Sequence, residues 1–266
     1  MNKFFNKYSL IFLSVAVVAL YLGNNYMQNE TGEATENAET DEQTYALPEN
    51  IMKKTGPHGV YDPHAALTPE KHIQVALQHK QEGRLSEAMS TLTRAILQYG
   101  DNKDLYAVRG SIFLEQGQPT EALSDLEKAL KLDPDDSELL TNRAQVYRQF
   151  GQIAQALTDL NRAIELNPEL VAARFNRGAI YYSSEDFEQA LSDFDQCIAI
   201  DPHAAAPYFN RASTKHALGD VDGARQDLER FIQLSDNEQW KATARDLMQR
   251  LDATTDTGQK TDTPES

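Results

Sequence analysis

The sequence has a single cysteine and few basic residues for its length. Its 266 residues include 25 Lys and Arg against 41 Asp and Glu, a formal net charge of −16. Because binding to a phosphate backbone depends on clustered basic side chains, this balance argues against nucleic acid as the main partner. With Cys197 alone, the chain cannot form an intramolecular disulfide, so cysteine usage leaves the redox compartment open.

Motifs for catalysis and cofactor binding are also lacking. The sequence has no phosphate-binding loop, no nucleophile elbow and no zinc-ligand spacing. Four histidines, His58, His64, His72 and His79, lie close together in the sequence, but not in a metal-binding pattern. We therefore expect no metal, no cofactor, no small-molecule substrate and no enzymatic activity.

The one long apolar run lies near the N-terminus. Lys3 and Lys7 precede the uncharged segment 8–22. As a helix this segment is roughly 22–24 Å long, and flanking residues can extend it toward the ~30 Å hydrocarbon core. We predict that residues 1–23 are an uncleaved transmembrane helix with its N-terminus in the cytoplasm. A cleaved signal peptide is the alternative, although Val17-Val18-Ala19 is a poor cleavage site.

The strongest pattern is a repeat with a period of about 34 residues, which runs from Pro69 to Glu238. Small residues recur at two phases of this period: Ala88, Ala122, Ala156, Ala190 and Ala224, and Ala76, Gly110, Ala144, Gly178 and Ala212. Aromatic residues share another phase, and prolines close three successive repeats: Phe113, Tyr147 and Tyr181, then Pro134, Pro168 and Pro202. Within 137–170, helical spacing of apolar residues is interrupted at Gly151 and ends at Pro168, which predicts two helices per repeat.

In its length and its order of small, aromatic and proline positions, this repeat resembles the tetratricopeptide repeat. The resemblance covers residues 69–251 and implies an all-α, right-handed superhelix of five helix-turn-helix repeats with a capping helix. The predicted organisation is a transmembrane helix at 1–23, an acidic disordered tether at 24–68, repeats at 69–102, 103–136, 137–170, 171–204 and 205–238, a cap at 239–251, and a disordered tail at 252–266. Predicted helix-start signals are Thr68 with Pro69, Asp135 with Glu138, and Ser235 with Glu238.

Arginine and aspartate recur together in the last four repeats. The arginines are Arg109, Arg143, Arg177 and Arg211, and the aspartates are Asp125, Asp159, Asp193 and Asp227. The first repeat has Val75 and Thr91 at these positions and lacks both members. Because the arginine and the aspartate are both absent from the first repeat, we predict that in each other repeat they form an ion pair that joins its two helices. A ligand-binding role for the arginines is the alternative. Cys197 stands where two other repeats have alanine, so it is predicted to be buried.

The resemblance also implies a concave groove for a partner. Asn142, Asn176 and Asn210 share a phase that faces this groove in the family, where a carboxamide can both donate to and accept from an extended peptide backbone. The other predicted groove residues lie at neighbouring phases: Phe175, Phe209, Arg148, Tyr182 and His216. The alternative is that the asparagines only cap or solvate a helix face.

Together these features predict a non-catalytic, membrane-anchored scaffold or adaptor that binds partner polypeptides in its groove. We expect it on the periplasmic side of a bacterial inner membrane, or soluble in the periplasm if the N-terminal segment is cleaved. The alternative function is an assembly or maturation factor that presents a client protein to a separate enzyme.

Overall fold

The described part of the chain is all-α, as predicted. The structure is a computed structural model that describes residues 67–258, with side chains up to Asp252. Its helices are α1 (Pro69–Gln81), α2 (Leu85–Tyr99), α3 (Lys103–Glu115), α4 (Pro119–Leu132), α5 (Ser137–Gln149), α6 (Ile153–Leu166), α7 (Val171–Ser183), α8 (Phe187–Ile200), α9 (Ala205–Ala217), α10 (Val221–Leu234) and α11 (Glu238–Gly258).

Several sequence predictions fall on residues that are not described. The transmembrane helix at 1–23, nearly all of the tether at 24–68 and the end of the tail at 259–266 lie outside the described residues. Within residues 67–258, no helix combines the length and the apolar character needed to cross a membrane.

Six of the described helices begin at a polar side chain that accepts a backbone N–H group of the first turn, namely α1, α3, α5, α8, α10 and α11. Thr68 caps α1, as predicted. Two other predicted caps are wrong by one or two residues. Asp136, not Asp135, accepts two N–H groups of α5 at 3.0 Å. Asn237, not Ser235, accepts an N–H group of α11 at 3.1 Å. In both cases the side chain next to the first helical residue is the one that reaches the unpaired N–H groups.

The two helices of each repeat are joined by a tight turn that requires a left-handed residue. Glycine supplies it in four repeats, at Gly83, Gly117, Gly151 and Gly219, with φ between 68° and 86°. In the fourth repeat Glu185 takes this conformation, with φ 62°. A side chain costs about 1–2 kcal/mol there because Cβ crowds the backbone, so this turn carries local strain.

The described helices form two compact units that divide between Gln149 and Phe150. The N-terminal unit contains α1–α5, and its second helix packs between α1 and α3. Its core is made mainly of small and aliphatic side chains, among them Ala76, Leu92, Leu105 and Ile112, all fully buried.

The C-terminal unit contains α6–α11 and has a core rich in aromatic rings. Phe194 and Phe231 are fully buried in this core. Helix α11 packs on α10 through buried Ala244 and Leu251, and it continues to Gly258, past the predicted end of the cap at residue 251. Cys197 is buried as predicted, and burial raises the pKa of its thiol.

Candidate functional site

The predicted ion pairs are observed within three repeats. In each, the arginine donates two hydrogen bonds to the aspartate of the same repeat, at 2.6–2.9 Å. The pairs are Arg109–Asp125, Arg177–Asp193 and Arg211–Asp227, and the aspartate side chains are only 3–5% exposed. Arg143 and Asp159 belong to different units, and their pairing stays a prediction. Since both partners are satisfied, these arginines join helices and do not present a ligand site.

Each of these arginines also contacts the preceding repeat, which the sequence did not predict. Nη1 donates a hydrogen bond to a residue 16 positions earlier, at 2.7–3.1 Å. The acceptors are Thr93 for Arg109, Asn161 for Arg177 and Asp195 for Arg211. The constant separation of 16 residues is visible in the sequence. The acceptors, however, are a hydroxyl, an amide and a carboxylate, so no shared residue type identifies them.

The asparagines of the predicted groove make local hydrogen bonds. Asn176 and Asn210 are 3% and 2% exposed, and their amides donate to the carbonyl oxygens of Ala172 and Ala206 at 2.9 and 3.1 Å. Asn142 is half-buried on α5, in the N-terminal unit. Oδ1 of Asn176 is buried without a hydrogen-bond partner among residues 67–258. A partner's N–H group would reach that oxygen only after a local opening.

The two predicted groove phenylalanines are core residues in this structure. Phe175 is 1% exposed, and its ring centroid lies 5.8 Å from that of Phe194. Phe209 is fully buried between Phe231, at 5.1 Å, and Trp240, at 6.2 Å. Their rings fill the space between the first and second helices of a repeat. Both rings therefore pack in the core, and their contact with a partner stays a prediction.

Open surface is found instead at the phase of Tyr182 and His216, where a pocket lies among α7, α9, α10 and α11. Its apolar lining consists of Ala212, Leu228, Leu247, Leu251 and the ring of Tyr182, and its polar lining of Ser213, His216 and Arg250. We call this site the C-terminal pocket. Its volume is about 450 Å³, including the solvent at its mouth. Arg148, predicted beside these residues, lies half-buried on the last turn of α5 in the other unit.

The polar groups of the C-terminal pocket differ in burial. Tyr182 is 9% exposed, and desolvation raises the pKa of its phenol to about 12. Nδ1 of His216 is buried without a hydrogen-bond partner in the described chain. The side chain of Arg250 is 57% exposed and pairs with Asp246 at 2.6 Å. Ser213 donates to a carbonyl oxygen of its own helix at 3.2 Å. The pocket thus combines apolar walls with donors at its mouth.

Three lining residues on α11, Leu247, Arg250 and Leu251, were missed because the sequence pattern was not followed far enough. Arg250 lies one full period of the repeat after His216, and Leu247 lies one full period after Ser213. The first half of α11 therefore occupies the place of a first helix in a sixth repeat. Treating this segment only as a cap hid its contribution to the site.

The described residues show no arrangement for metal chemistry. Between residues 67 and 258, no group of three or more His, Cys, Asp or Glu side chains is placed to hold an ion. His58 and His64 lie outside the described residues.

Comparison with protein-family models shows the family of this chain. Three tetratricopeptide repeat models match residues 76–137, 113–177 and 177–252, which together span more than half of the sequence. The chain belongs to the tetratricopeptide repeat family. No curated protein matches the sequence.

Solved structures agree with this fold. The Pseudomonas aeruginosa protein pilF matches with a TM-score of 0.62 and 20% identity, over 71% of this chain and 86% of its own. A tetratricopeptide repeat protein from Parabacteroides merdae matches with a TM-score of 0.57 and 21% identity, over 72% and 80%. YrrB, described as a tetratricopeptide repeat protein with an unusual peptide-binding site, matches with a TM-score of 0.50 and 23% identity, over 66% and 90%. At these identities the likeness concerns the fold alone.

Proposed function

We propose that this chain is a non-catalytic adaptor that is anchored to a membrane by residues 8–22 and binds a segment of a partner polypeptide. Proteins of the tetratricopeptide repeat family bind protein or peptide partners, and YrrB has a peptide-binding site by its own description. Stacked helix pairs leave an extended surface between first helices, which suits a segment better than a small molecule.

The observation that carries this proposal is the C-terminal pocket. Tyrosine and arginine are among the side chains that contribute most to protein interfaces, and this pocket has one of each beside apolar walls. The buried asparagines supply no comparable open surface, because their amides are already bonded to their own helices.

Photo-crosslinking in cells tests partner binding at this surface. A photoreactive phenylalanine at Gln249, which is exposed on α11 next to Arg250 at the pocket mouth, should capture a discrete partner that mass spectrometry identifies. The same residue at Gln196, which is exposed on α8 and outside the pocket, is the control. Equal capture from both sites, or none from Gln249, would contradict the proposal. A partner captured only while it is being synthesised would favour the assembly-factor alternative.

The membrane part of the proposal rests on Lys3 and Lys7 before the apolar segment 8–22. By the positive-inside rule, a reporter that works only in the cytoplasm should be silent when it is fused after Ser266. A bright cytoplasmic signal would reverse the topology. Recovery of a soluble chain that lacks the segment 1–23 would replace the anchor with a cleaved signal peptide.

A further inference from the structure

The C-terminal pocket has an apolar interior. Leu228 and Leu251 are 2% and 5% exposed, and Leu247 and the ring of Tyr182 complete the walls. The enclosed space between these walls is about 50 Å³, well below the roughly 300–1,000 Å³ of small-molecule sites, so the pocket suits one side chain and not a whole ligand. An aliphatic or aromatic side chain therefore suits this space better than a polar one, because its burial removes apolar surface from water.

The mouth of the pocket favours a negative group. None of the described residues that line it is acidic, although the chain as a whole carries a net charge of −16. Arg250 is paired with Asp246, and both side chains are more than half exposed. Exposed pairs of this kind are weak, and a guanidinium has five N–H donors. Arg250 can thus bind a second carboxylate, either beside Asp246 or in its place.

The His216 ring gives the pocket a polar atom that no described residue uses. Its Nδ1 is buried and lacks a hydrogen-bond partner among the described residues, while the ring itself lines the pocket. Buried polar atoms normally have partners, so this nitrogen is available to a polar group of a ligand or to a water molecule in the pocket.

We infer that the C-terminal pocket selects a partner segment in which an apolar residue is followed by an acidic one. The apolar side chain enters between Leu228, Leu247 and Tyr182, and the carboxylate pairs with Arg250 at the mouth. This inference rests on the proposed function and specifies the chemistry of the partner.

Labelled peptides test this specificity on the purified full-length chain. The parent probe is fluorescein-labelled Ser-Gly-Leu-Asp-Gly-Ser, with one variant carrying alanine for leucine and another carrying lysine for aspartate. Fluorescence anisotropy should show that the alanine peptide binds about tenfold or more weakly, because three buried carbon atoms are lost. The lysine peptide should also bind more weakly than the parent.

Charge reversal on α11 tests the role of Arg250. Arg250→Glu should weaken binding of the aspartate peptide and strengthen binding of the lysine peptide. Arg245→Glu is the matched control, since Arg245 is on the same helix, is 54% exposed and does not line the pocket. It should leave both affinities unchanged. The same effect from both variants would overturn the pairing.

Filling the pocket provides a separate check. Ser213→Phe should abolish peptide binding with unchanged helical content, whereas Ser192→Phe on the exposed side of α8 should not affect it. Equal affinity for the leucine and alanine peptides, or no binding of any peptide at millimolar concentration, would overturn the inference. Binding of decanoate without any peptide response would assign the pocket to a small amphiphile. If the photoreactive residue at Gln249 still captured a partner in cells, the proposed function would stand and this specificity alone would fail.

Discussion

The contact between Gly178 and Phe194 should make the fourth repeat intolerant of a single added methyl group. A Cβ atom at residue 178 would lie 2.9 Å from Cε1 of Phe194 and 3.1 Å from Cβ of Asp193. Phe194 is fully buried against Phe175, so its ring has no solvent-filled space into which it could move. Gly178→Ala should therefore force the two helices of this repeat apart.

Gly110 provides the matched control for the magnitude. A Cβ atom there meets Cγ of Leu126 at 3.3 Å, a contact that a small shift relieves. Both substitutions gain about 1 kcal/mol of helix propensity, so the difference between them isolates the steric cost. Overpacking of a core costs about 1–3 kcal/mol, and Gly178→Ala should be less stable than Gly110→Ala by that amount. At about 2–4 °C per kcal/mol, this corresponds to a Tm difference of roughly 2–12 °C.

A rescue variant completes the test. The other repeats have leucine in the sequence at the position of Phe194, and a Cβ atom at Gly110 meets such a leucine, Leu126. Phe194→Leu should be destabilising alone, but it should restore stability when combined with Gly178→Ala. Urea unfolding followed by circular dichroism measures the four free energies of the cycle. Additive effects in the double variant, or equal stability of Gly178→Ala and Gly110→Ala, would refute the steric argument.

Three further predictions concern charge, ionisation and backbone strain. Asp193→Ala should destabilise by about 3–5 kcal/mol because it leaves the largely buried Arg177 unpaired, whereas Glu165→Ala in an exposed pair should cost under about 1 kcal/mol; similar urea midpoints would contradict this. Burial raises the pKa of the Tyr182 phenol from its ordinary value of 10.0 to about 12. As the pH rises above 10.0, the unfolded chain therefore loses this proton before the folded chain does. The free energy of unfolding should then fall by roughly 3 kcal/mol between about pH 10 and pH 12, and Tyr182→Phe should remove this fall. Parallel pH profiles of unfolding for the two proteins would contradict this account. Glu185→Gly should stabilise by about 0.5–1 kcal/mol in thermal unfolding because glycine relieves the left-handed strain, and a lower Tm would contradict that account.

The period of the sequence predicted the helices and the ion pairs because both depend on repeated residue types. Arg177 and Asp193 could be matched because the first repeat lacks both members. Their contact to Asn161 could not be matched, since the residues at that phase share no chemistry. Burial was harder to predict where a large residue lies at the border between core and groove.

Phe209 shows the reason for that difficulty. Helical spacing gives the direction of a side chain within its own helix, but Phe231 and Trp240, which enclose this ring, come from two later helices. A phase that holds threonine in one repeat and phenylalanine in two others can serve either surface. The pocket position of Arg250, in contrast, could have been predicted from the sequence, because the same period continues into α11.

The second hydrogen bond of each arginine makes the links between neighbouring repeats unequal. Arg109 and Arg177 reach back to neutral acceptors, but Arg211 reaches back to Asp195, a carboxylate that is 49% exposed. Salt screens the last link and leaves the other two largely unaffected. In an array whose stability is a sum of neighbour terms, added salt then weakens the α8–α9 interface more than the interfaces bridged by Arg109 and Arg177. Hydrogen exchange at increasing ionic strength would detect this as earlier opening of α9. Because α9 also carries Ser213 and His216, the ionic strength that the protein experiences sets how rigidly its pocket is held.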